Sequence, residues 1–461
     1  MAKAKDHCPT DVTSDILERL PVKTLTRFKC VSKPWLKLIS DPFLVRSHRV
    51  RSQKGNPLQL FSTASSYDKK KGEERLHLSF FMGDEGPLLQ ECEFTVDGTG
   101  RLLSSYLGSV LCYVGFTSIL AYNPSTRERV TLPSVTHCLD DCNEGKVGFA
   151  YLPDENEYKV VRLFYKRWVH HPADFFGDYE IGCEILTLRD GADSSSGHWR
   201  VVPDEYCPYP VCYLYPPCVN AAVHWLVHYE YREEHYEELD DEMIVSFDVE
   251  AEMFKMVPVP RICLGFGPYS MTLVALRGFL VLVSRCNDSE IEMWVLKDYD
   301  SRCWFKEYRI DLSGMDRFNM DFEYAIPKDI RDGNILMETY THGPNRLDCY
   351  NVETKSFRKL IDLDSGRPGK LNSGCRRFHF YLYWESLFSL PSRACSRRCR
   401  ELESKLPSTI LSGGLIRVQD ASDQALAKGH LLPGTGKATA SLRGERPSSY
   451  KSDAWPLPAE L

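Results

Sequence analysis

Few residues of this chain have the types and spacing that catalysis requires. Gly265 and Gly267 begin like a dinucleotide-binding loop, but Ser270 stands where the third glycine is needed. Gly434–Lys437 begins like a phosphate-binding loop, but Ala438 replaces the Ser or Thr that would bind Mg²⁺. The 13 histidines are scattered, and neither an HExxH nor a GxSxG pattern occurs. We therefore predict that the chain is not an enzyme, with no catalytic residues and no cofactor.

The 17 cysteines do not have the spacing of a metal site. The closest pairs, Cys138/Cys142 and Cys395/Cys399, are four residues apart, and no CxxC motif occurs. A structural zinc site needs four converging ligands, which these pairs do not supply. We expect free thiols and no bound metal.

Two segments have the composition of a binding surface. Glu230–Glu242 contains eight acidic residues in thirteen, with two interleaved tyrosines. It is either an acidic-aromatic patch for a basic partner or a solvated loop whose charges repel one another. The candidate substrate-binding residues are Tyr231, Glu233, Glu234, Tyr236, Glu237 and Glu238. Cys207–Cys218, rich in Tyr and Pro, either supplies aromatic anchors or is a buried connector.

Three short helical patterns occupy residues 9–46. Val12, Ile16 and Leu20 recur every four residues, which predicts one apolar face of a helix that ends at Pro21. A second helix starts at Pro21, and Ser32 is a natural N-cap for a third. About 40 residues cannot bury enough apolar surface alone. The module either caps the rest of this chain or completes its core against another protein, and the residues leave both alternatives open.

The central part of the chain repeats a pattern of apolar strand, polar turn and second strand. Copies lie at 121–133, 186–203, 246–260, 294–310 and 349–363, with a weaker early copy at 58–80. Further apolar strands without a helical period lie between the copies. Units of about 50 residues with four strands each are typical of a β-propeller, here of about six blades. A pair of packed β-sheets is the alternative architecture.

Charge divides the chain into three parts. The net charge is +7 in residues 1–54, −18 in residues 55–390 and +4 in residues 391–461. An acidic central part argues against nucleic-acid binding, which needs clustered Lys and Arg. The last part is rich in Ser, Gly and Pro, and we expect a disordered tail. Because the sequence has no secretory signal and no apolar stretch of about 20 residues, we expect a protein of the cytoplasm or nucleus that does not enter a membrane.

Residues 9–43 strongly resemble the F-box of plant F-box proteins, in register and without a gap. Phrases of the central part resemble the F-box-associated domain of the same proteins, which include kelch-type and S-locus F-box-like relatives. These phrases are Asn123–Arg127, GFAYLPDENEYKVVRLF (148–164), VNAAVHWL (219–226), IEMWVLKDY (291–299) and YWESLFSL (383–390). The resemblance implies an F-box over 8–50, an F-box-associated domain over 55–390 and a tail over 391–461.

The resemblance also implies a function. F-box helices bind a Skp-type adaptor that links them to a cullin, which implies a substrate-recognition subunit of an SCF-type E3 ubiquitin ligase. Carried over by position, the adaptor-binding residues are Pro9, Ile16, Leu17, Leu20, Pro21, Val22, Leu25, Phe28, Val31 and Trp35. The sequence does not sort these residues between the module's own core and the adaptor. A binding or scaffold protein acting outside a ubiquitin ligase is the alternative function.

Overall fold

The computed structural model describes most of the chain up to Leu390. The described residues are 10–55, 57–64, 71, 73–82, 88–97, 100–104, 108–115, 118–135, 146–171, 174–190, 197–212, 216–228, 231–232, 239, 241–266, 270–287, 289–299, 301–315, 324–340, 346–362 and 379–390. The tail predicted over 391–461 lies outside them. None of the helices in this described part is both long and apolar enough to span a bilayer.

Four helices form the N-terminal helical module: α1 (Thr10–Leu17), α2 (Val22–Phe28), α3 (Lys33–Ile39) and α4 (Pro42–Lys54). The Ser32 hydroxyl caps α3 as predicted, because it accepts a hydrogen bond from the Trp35 amide at 3.4 Å. The Asp41 carboxylate caps α4 in the same way, accepting from the Phe43 amide at 2.9 Å. The sequence predicted three helices, and α4 is an addition.

The strands of the described residues form six four-stranded antiparallel sheets. In chain order the strands are β1 (Leu58–Ala64), β2 (Glu73–Phe81), β3 (Leu88–Asp97), β4 (Gly100–Ser104), β5 (Leu111–Gly115), β6 (Ile119–Asn123), β7 (Glu128–Thr131), β8 (Val147–Leu152), β9 (Glu157–His171), β10 (Asp174–Arg189), β11 (Arg200–Cys207), β12 (Cys218–Val219), β13 (Ala222–Leu226), β14 (Ile244–Asp248), β15 (Met253–Val257), β16 (Met271–Leu276), β17 (Phe279–Arg285), β18 (Glu290–Asp298), β19 (Cys303–Asp311), β20 (Tyr324–Arg331), β21 (Asn334–Tyr340), β22 (Arg346–Asn351), β23 (Ser356–Asp362) and β24 (His379–Tyr383). Five sheets are built from four consecutive strands, and the sixth has the order β24-β1-β2-β3.

The sixth sheet closes the sheets into a ring. The first strand of a sheet is here called its leading strand. Leading strands of neighbouring sheets lie side by side, β4 against β8, β8 against β12, β16 against β20, and β20 against β24. The Tyr381 hydroxyl of β24 donates to the Leu102 carbonyl of β4 at 2.9 Å, which joins the last leading strand to the first. The prediction of a small helical module followed by a β-propeller is confirmed, and the pair of packed sheets is excluded.

The predicted hairpins fall at one position of the blades, with one exception. The copies at 121–133, 186–203, 246–260, 294–310 and 349–363 are each the third and fourth strands of a sheet. The early copy at 58–80 is instead the second and third strands, β1 and β2. This copy is out of phase because its sheet takes its first strand, β24, from the far end of the chain.

Strand direction gives the propeller two different ends. Successive antiparallel strands place their connections alternately, so first-to-second and third-to-fourth connections share the turn end, and all others share the loop end. Every described residue with left-handed backbone lies in a connection of the turn end: Arg127, Asn156, Asn220, Ala221, Glu252, Arg277, Gly278, Arg302, Asp332, Gly333 and Lys355. Tight turns therefore define the turn end, and longer connections such as 227–243 define the loop end.

Candidate functional site

A single small apolar cluster holds the helical module together. Its fully buried members are Leu17, Val22, Leu25, Ile39, Leu44, Val45 and Leu387. Six of these seven come from α1–α4, and Leu387 comes from the segment that follows β24. Leu20, Phe28, Trp35 and Leu38 pack against the cluster and are only partly buried.

Several large apolar side chains of the module face solvent. Ile16 is 51% exposed, Val31 is 62% exposed and Phe43 is 74% exposed. Val12 lies one turn before Ile16 on α1, and Val50 lies two turns after Phe43 on α4, so each pair shares a helix face. A module of this size with so many uncovered apolar side chains presents a surface suited to another protein.

The residues carried over from the resemblance sort into four groups. Leu17, Val22 and Leu25 are buried in the module's own core. Ile16, Pro21 and Val31 are exposed. Leu20, Phe28 and Trp35 are half-buried, and the rings of Phe28 and Trp35 meet edge to face at 5.3 Å. Pro9 lies outside the described residues.

A shallow cavity lies along α4 beside Glu18, the residue that follows α1. Its volume is about 680 Å³, and its lining combines the apolar Phe43 and Val50 with cationic side chains and one carboxylate. The remaining lining residues are Glu18, Arg46, Ser47, Arg51, Lys54 and Gly55. Cationic side chains therefore lie beside the exposed apolar side chains of α4.

Arg49 of α4 fixes the helical module to the turn end of the propeller. Its side chain is almost completely buried, and the guanidinium carbon lies 3.1 Å from the centre of the Tyr151 ring. The guanidinium donates to the Asn156 side-chain carbonyl at 3.0 Å and to the Tyr158 hydroxyl at 3.2 Å. Nearby, Arg46 forms an exposed ion pair with Asp154 at 3.3 Å. No sequence pattern pointed to Arg49, because a buried arginine is indistinguishable from a surface one in the sequence.

His48 joins α4 to the turn between α1 and α2. Its Nε2 donates to the Leu20 carbonyl at 2.9 Å. Burial lowers the pKa of His48, and the hydrogen bond to the carbonyl opposes part of that shift. The neutral imidazole therefore belongs to the packed state of the module.

The predicted binding segments Cys207–Cys218 and Glu230–Glu242 meet at the loop end of the propeller, where the Tyr209 and Tyr231 rings lie 5.5 Å apart. Val211 forms a β-bridge with Val227, and the His228 amide donates to the Pro210 carbonyl at 2.7 Å. In the segment Cys207–Cys218, the described cysteines and Val211 are buried. These buried residues fit a connector, but Tyr213 and Tyr215 lie outside the described residues, so the choice between the two predicted alternatives stays a prediction.

The acidic-aromatic patch requires exposed aromatic rings, and the Tyr231 ring is not exposed. It is 7% exposed, and its ring lies 5.5 Å from the Tyr209 ring and 6.0 Å from the Tyr179 ring. Tyr231 therefore contributes to the core beneath the loop, and its inclusion among the contact residues was wrong. Glu233, Glu234, Tyr236, Glu237 and Glu238 lie outside the described residues, and their role stays a prediction.

Strands β9 and β10 extend beyond their sheet at the loop end. They have 15 and 16 residues, and their pairing continues to His171 and Asp174. Their ladders with β8 and β11 begin only at Arg162 and Ile181. A two-stranded ribbon therefore rises from this blade beside the segment that contains Tyr231. The sequence analysis did not predict this ribbon.

Comparison with known proteins connects both parts of the chain to described domains. Residues 6–47 match the F-box domain, and residues 50–379 match the F-box associated beta propeller domain. An F-box/kelch-repeat protein of Arabidopsis thaliana is 25% identical over 82% of this chain and 94% of its own length. A second F-box/kelch-repeat protein of Arabidopsis thaliana is 26% identical over 77% of this chain and 84% of its own length. Among solved structures, TolB from Acinetobacter baumannii aligns over 69% of each chain with 12% identity and a TM-score of 0.36, which is too low to support a conclusion.

Proposed function

The chain belongs to the family of F-box proteins with an F-box-associated β-propeller domain, and we propose that it is the non-catalytic substrate-recognition subunit of an SCF-type cullin E3 ubiquitin ligase. The F-box binds a Skp-type adaptor, the propeller binds the protein to be modified, and the complex acts in the cytoplasm or nucleus. Tethering raises the effective concentration of the target's lysines near the ubiquitin carrier. In this proposal the chain itself forms and breaks no covalent bond.

The exposed apolar side chains of the helical module are the observation that carries the proposal. Ile16 and Val31 are each more than half exposed, although the described residues of the module form one small core cluster. Covering such side chains contributes about 25 cal/mol per Å² of apolar area removed from water. An adaptor surface that covers them would supply the stability that the module cannot obtain alone.

The exposure of each side chain refines the proposed adaptor contact. Ile16, Pro21 and Val31 become the proposed direct contacts, because they are exposed. Leu20, Phe28 and Trp35 each present one edge to solvent and one to the core, so they become contacts at the margin. Leu17, Val22 and Leu25 support the others from beneath.

The loop end of the propeller is the proposed site for the target protein. The helical module is attached at the turn end through Arg49, so the loop end stays on the side away from the adaptor. The β9–β10 ribbon and the acidic segment Glu230–Glu242 belong to neighbouring blades at that end. A basic surface on the target is the partner that the acidic residues favour.

Affinity capture from plant cells under proteasome inhibition tests the proposal. The intact chain should recover a Skp-type adaptor, a cullin and one or more ubiquitinated proteins. The double variant Ile16→Asp and Val31→Asp should lose the adaptor and the cullin. The matched variant Met253→Asp and Phe305→Asp, at exposed apolar positions of the propeller, should keep them. Recovery of an adaptor without a cullin from the intact chain would favour the scaffold function, and recovery of neither would exclude the ligase.

A further inference from the structure

The segment Trp384–Leu390, here called the strap, lies between the helical module and the propeller. Its neighbouring side chains Leu387 and Phe388 are both buried, but in different cores. Leu387 is the one member of the module's core cluster that lies outside α1–α4. Phe388 belongs to a propeller cluster, where its ring meets the Tyr158 ring at 4.9 Å. The strap therefore contributes one side chain to each core.

Hydrogen bonds from two blades fix the path of the strap. The Asn123 side-chain amide donates to the Phe388 carbonyl at 2.7 Å. The Ser389 amide donates to the Asp190 carboxylate at 2.7 Å, and the Leu390 amide donates to the Glu128 carboxylate at 2.9 Å. These three partners lie at the turn end, so the strap reaches its position only on an assembled propeller.

The strap also follows directly on the strand that closes the ring. β24 pairs with β1 from Leu58↔Tyr383 to Ser62↔His379. β1 in turn begins just after α4, the last helix of the module. The Tyr383 hydroxyl lies 2.6 Å from the Ser125 hydroxyl and anchors the junction of β24 and the strap. The pairing of β24 with β1 that closes the ring therefore also places Leu387 against the helical module.

We propose that the strap makes adaptor binding depend on closure of the propeller, with Leu387 as the positioning residue. The inference rests on the proposed function of the helical module. When β24 is paired and the strap is seated, Leu387 completes the core beneath Leu17, Val22 and Leu25. When β24 is unpaired, the core lacks one of its buried members and the adaptor-binding surface loses its support. A chain with an unclosed propeller is then kept out of the ligase.

Thermodynamic linkage supplies a readout that a purely structural role of Leu387 does not predict. If closure favours adaptor binding, adaptor binding must favour closure by the same factor. Hydrogen exchange of the β24 and β1 amides should therefore slow when the adaptor saturates the chain, although both strands belong to the propeller and not to the helical module. Exchange of blade amides far from the strap, such as those of β17, should not change.

The test uses the full chain with a purified Skp-type adaptor. Leu387→Ala should weaken adaptor binding by about tenfold or more, because a buried leucine is lost from a small core. It should also abolish the slowing of β24 exchange. Leu387→Met, which conserves volume, should restore both. The matched control is Leu280→Ala, a fully buried leucine in another blade, which should lower propeller stability and leave adaptor affinity unchanged below the unfolding temperature.

Two results would overturn the inference. One is adaptor affinity that Leu387→Ala leaves unchanged, and the other is β24 exchange that saturating adaptor leaves unchanged. If the intact chain binds no adaptor, the proposed function fails, and the coupling is then judged in the free chain. There, Leu387→Ala should speed amide exchange in α2 and leave exchange in β17 unchanged. Exchange in α2 that is the same in the variant and the intact chain would refute the role of Leu387.

Discussion

The helical module and the propeller solve the problem of burying apolar surface in opposite ways. The propeller closes on itself through the pairing of β24 with β1, and its clusters of buried side chains come from its own strands and the connections between them. The module has one cluster, which is completed by Leu387 from the strap, and it leaves Ile16, Val31 and Phe43 exposed. The propeller is thus self-sufficient, whereas the module depends on the propeller on one side and offers an uncovered surface on the other.

The largest expected effect is a loss of stability in the propeller, the self-sufficient region. Arg162 and Glu184 form an ion pair at 2.7 Å that is almost completely buried between β9 and β10. Glu184→Ala leaves the guanidinium without that carboxylate, so we expect a loss of about 3–5 kcal/mol in the unfolding free energy. Denaturant unfolding followed by β-sheet circular dichroism measures the loss. The control Asp15→Asn, which removes the exposed ion pair with Arg19, should change stability by less than about 1 kcal/mol. Equal unfolding midpoints for both variants would contradict the stabilising role of the buried Arg162–Glu184 ion pair.

Acid should weaken the propeller through two buried histidines. Burial lowers the pKa of His224 and of His228 to about 4, from an ordinary value of 6.5. Because the unfolded chain takes up these protons at higher pH than the folded chain, stability falls as pH falls from 6.5 towards 4. The expected loss is about 3 kcal/mol per histidine.

The variant His224→Gln isolates this contribution. The Nε2 of His224 lies 3.1 Å from the Tyr299 hydroxyl, and a glutamine amide can keep a polar contact there without taking up a proton in this range. Unfolding free energies measured between pH 6.5 and 4 should decline less steeply in this variant. The exposed His198→Gln should reproduce the decline of the intact chain. An unchanged slope in His224→Gln would show that other groups cause the acid sensitivity.

A smaller effect should appear where the two regions join. Arg49→Ala removes two hydrogen bonds from a charged donor and the contact with the Tyr151 ring, which we expect to cost about 2 kcal/mol at the joint. Distances between spin labels at Lys33 of α3 and Lys355 of the turn end should broaden in this variant. The exposed Arg51→Ala on the same helix should keep the narrow distribution. A narrow distribution in Arg49→Ala would mean that the strap alone fixes the module.

The sequence predicted what depends on local patterns. All six predicted hairpins pair as antiparallel neighbours, because their turn residues and alternating apolar strands are adjacent in the chain. The pairing of β24 with β1 could not be predicted, since it joins strands more than 300 residues apart. Helix α4 was missed because its buried side includes His48 and Arg49, which give no apolar period. Tyr231 was misplaced because its acidic neighbours indicate solvent, while the rings of Tyr179 and Tyr209 cover it.

The uncovered surface of the helical module is tested most directly by calorimetric titration with a purified Skp-type adaptor at several temperatures. The account predicts binding with a negative heat-capacity change, since apolar surface is removed from water. It also predicts that Ile16→Asp weakens binding by about tenfold or more, because a charge would be buried at the contact. Met253→Asp on the propeller should bind like the intact chain. Binding of the Ile16→Asp variant that equals that of the intact chain would contradict the account.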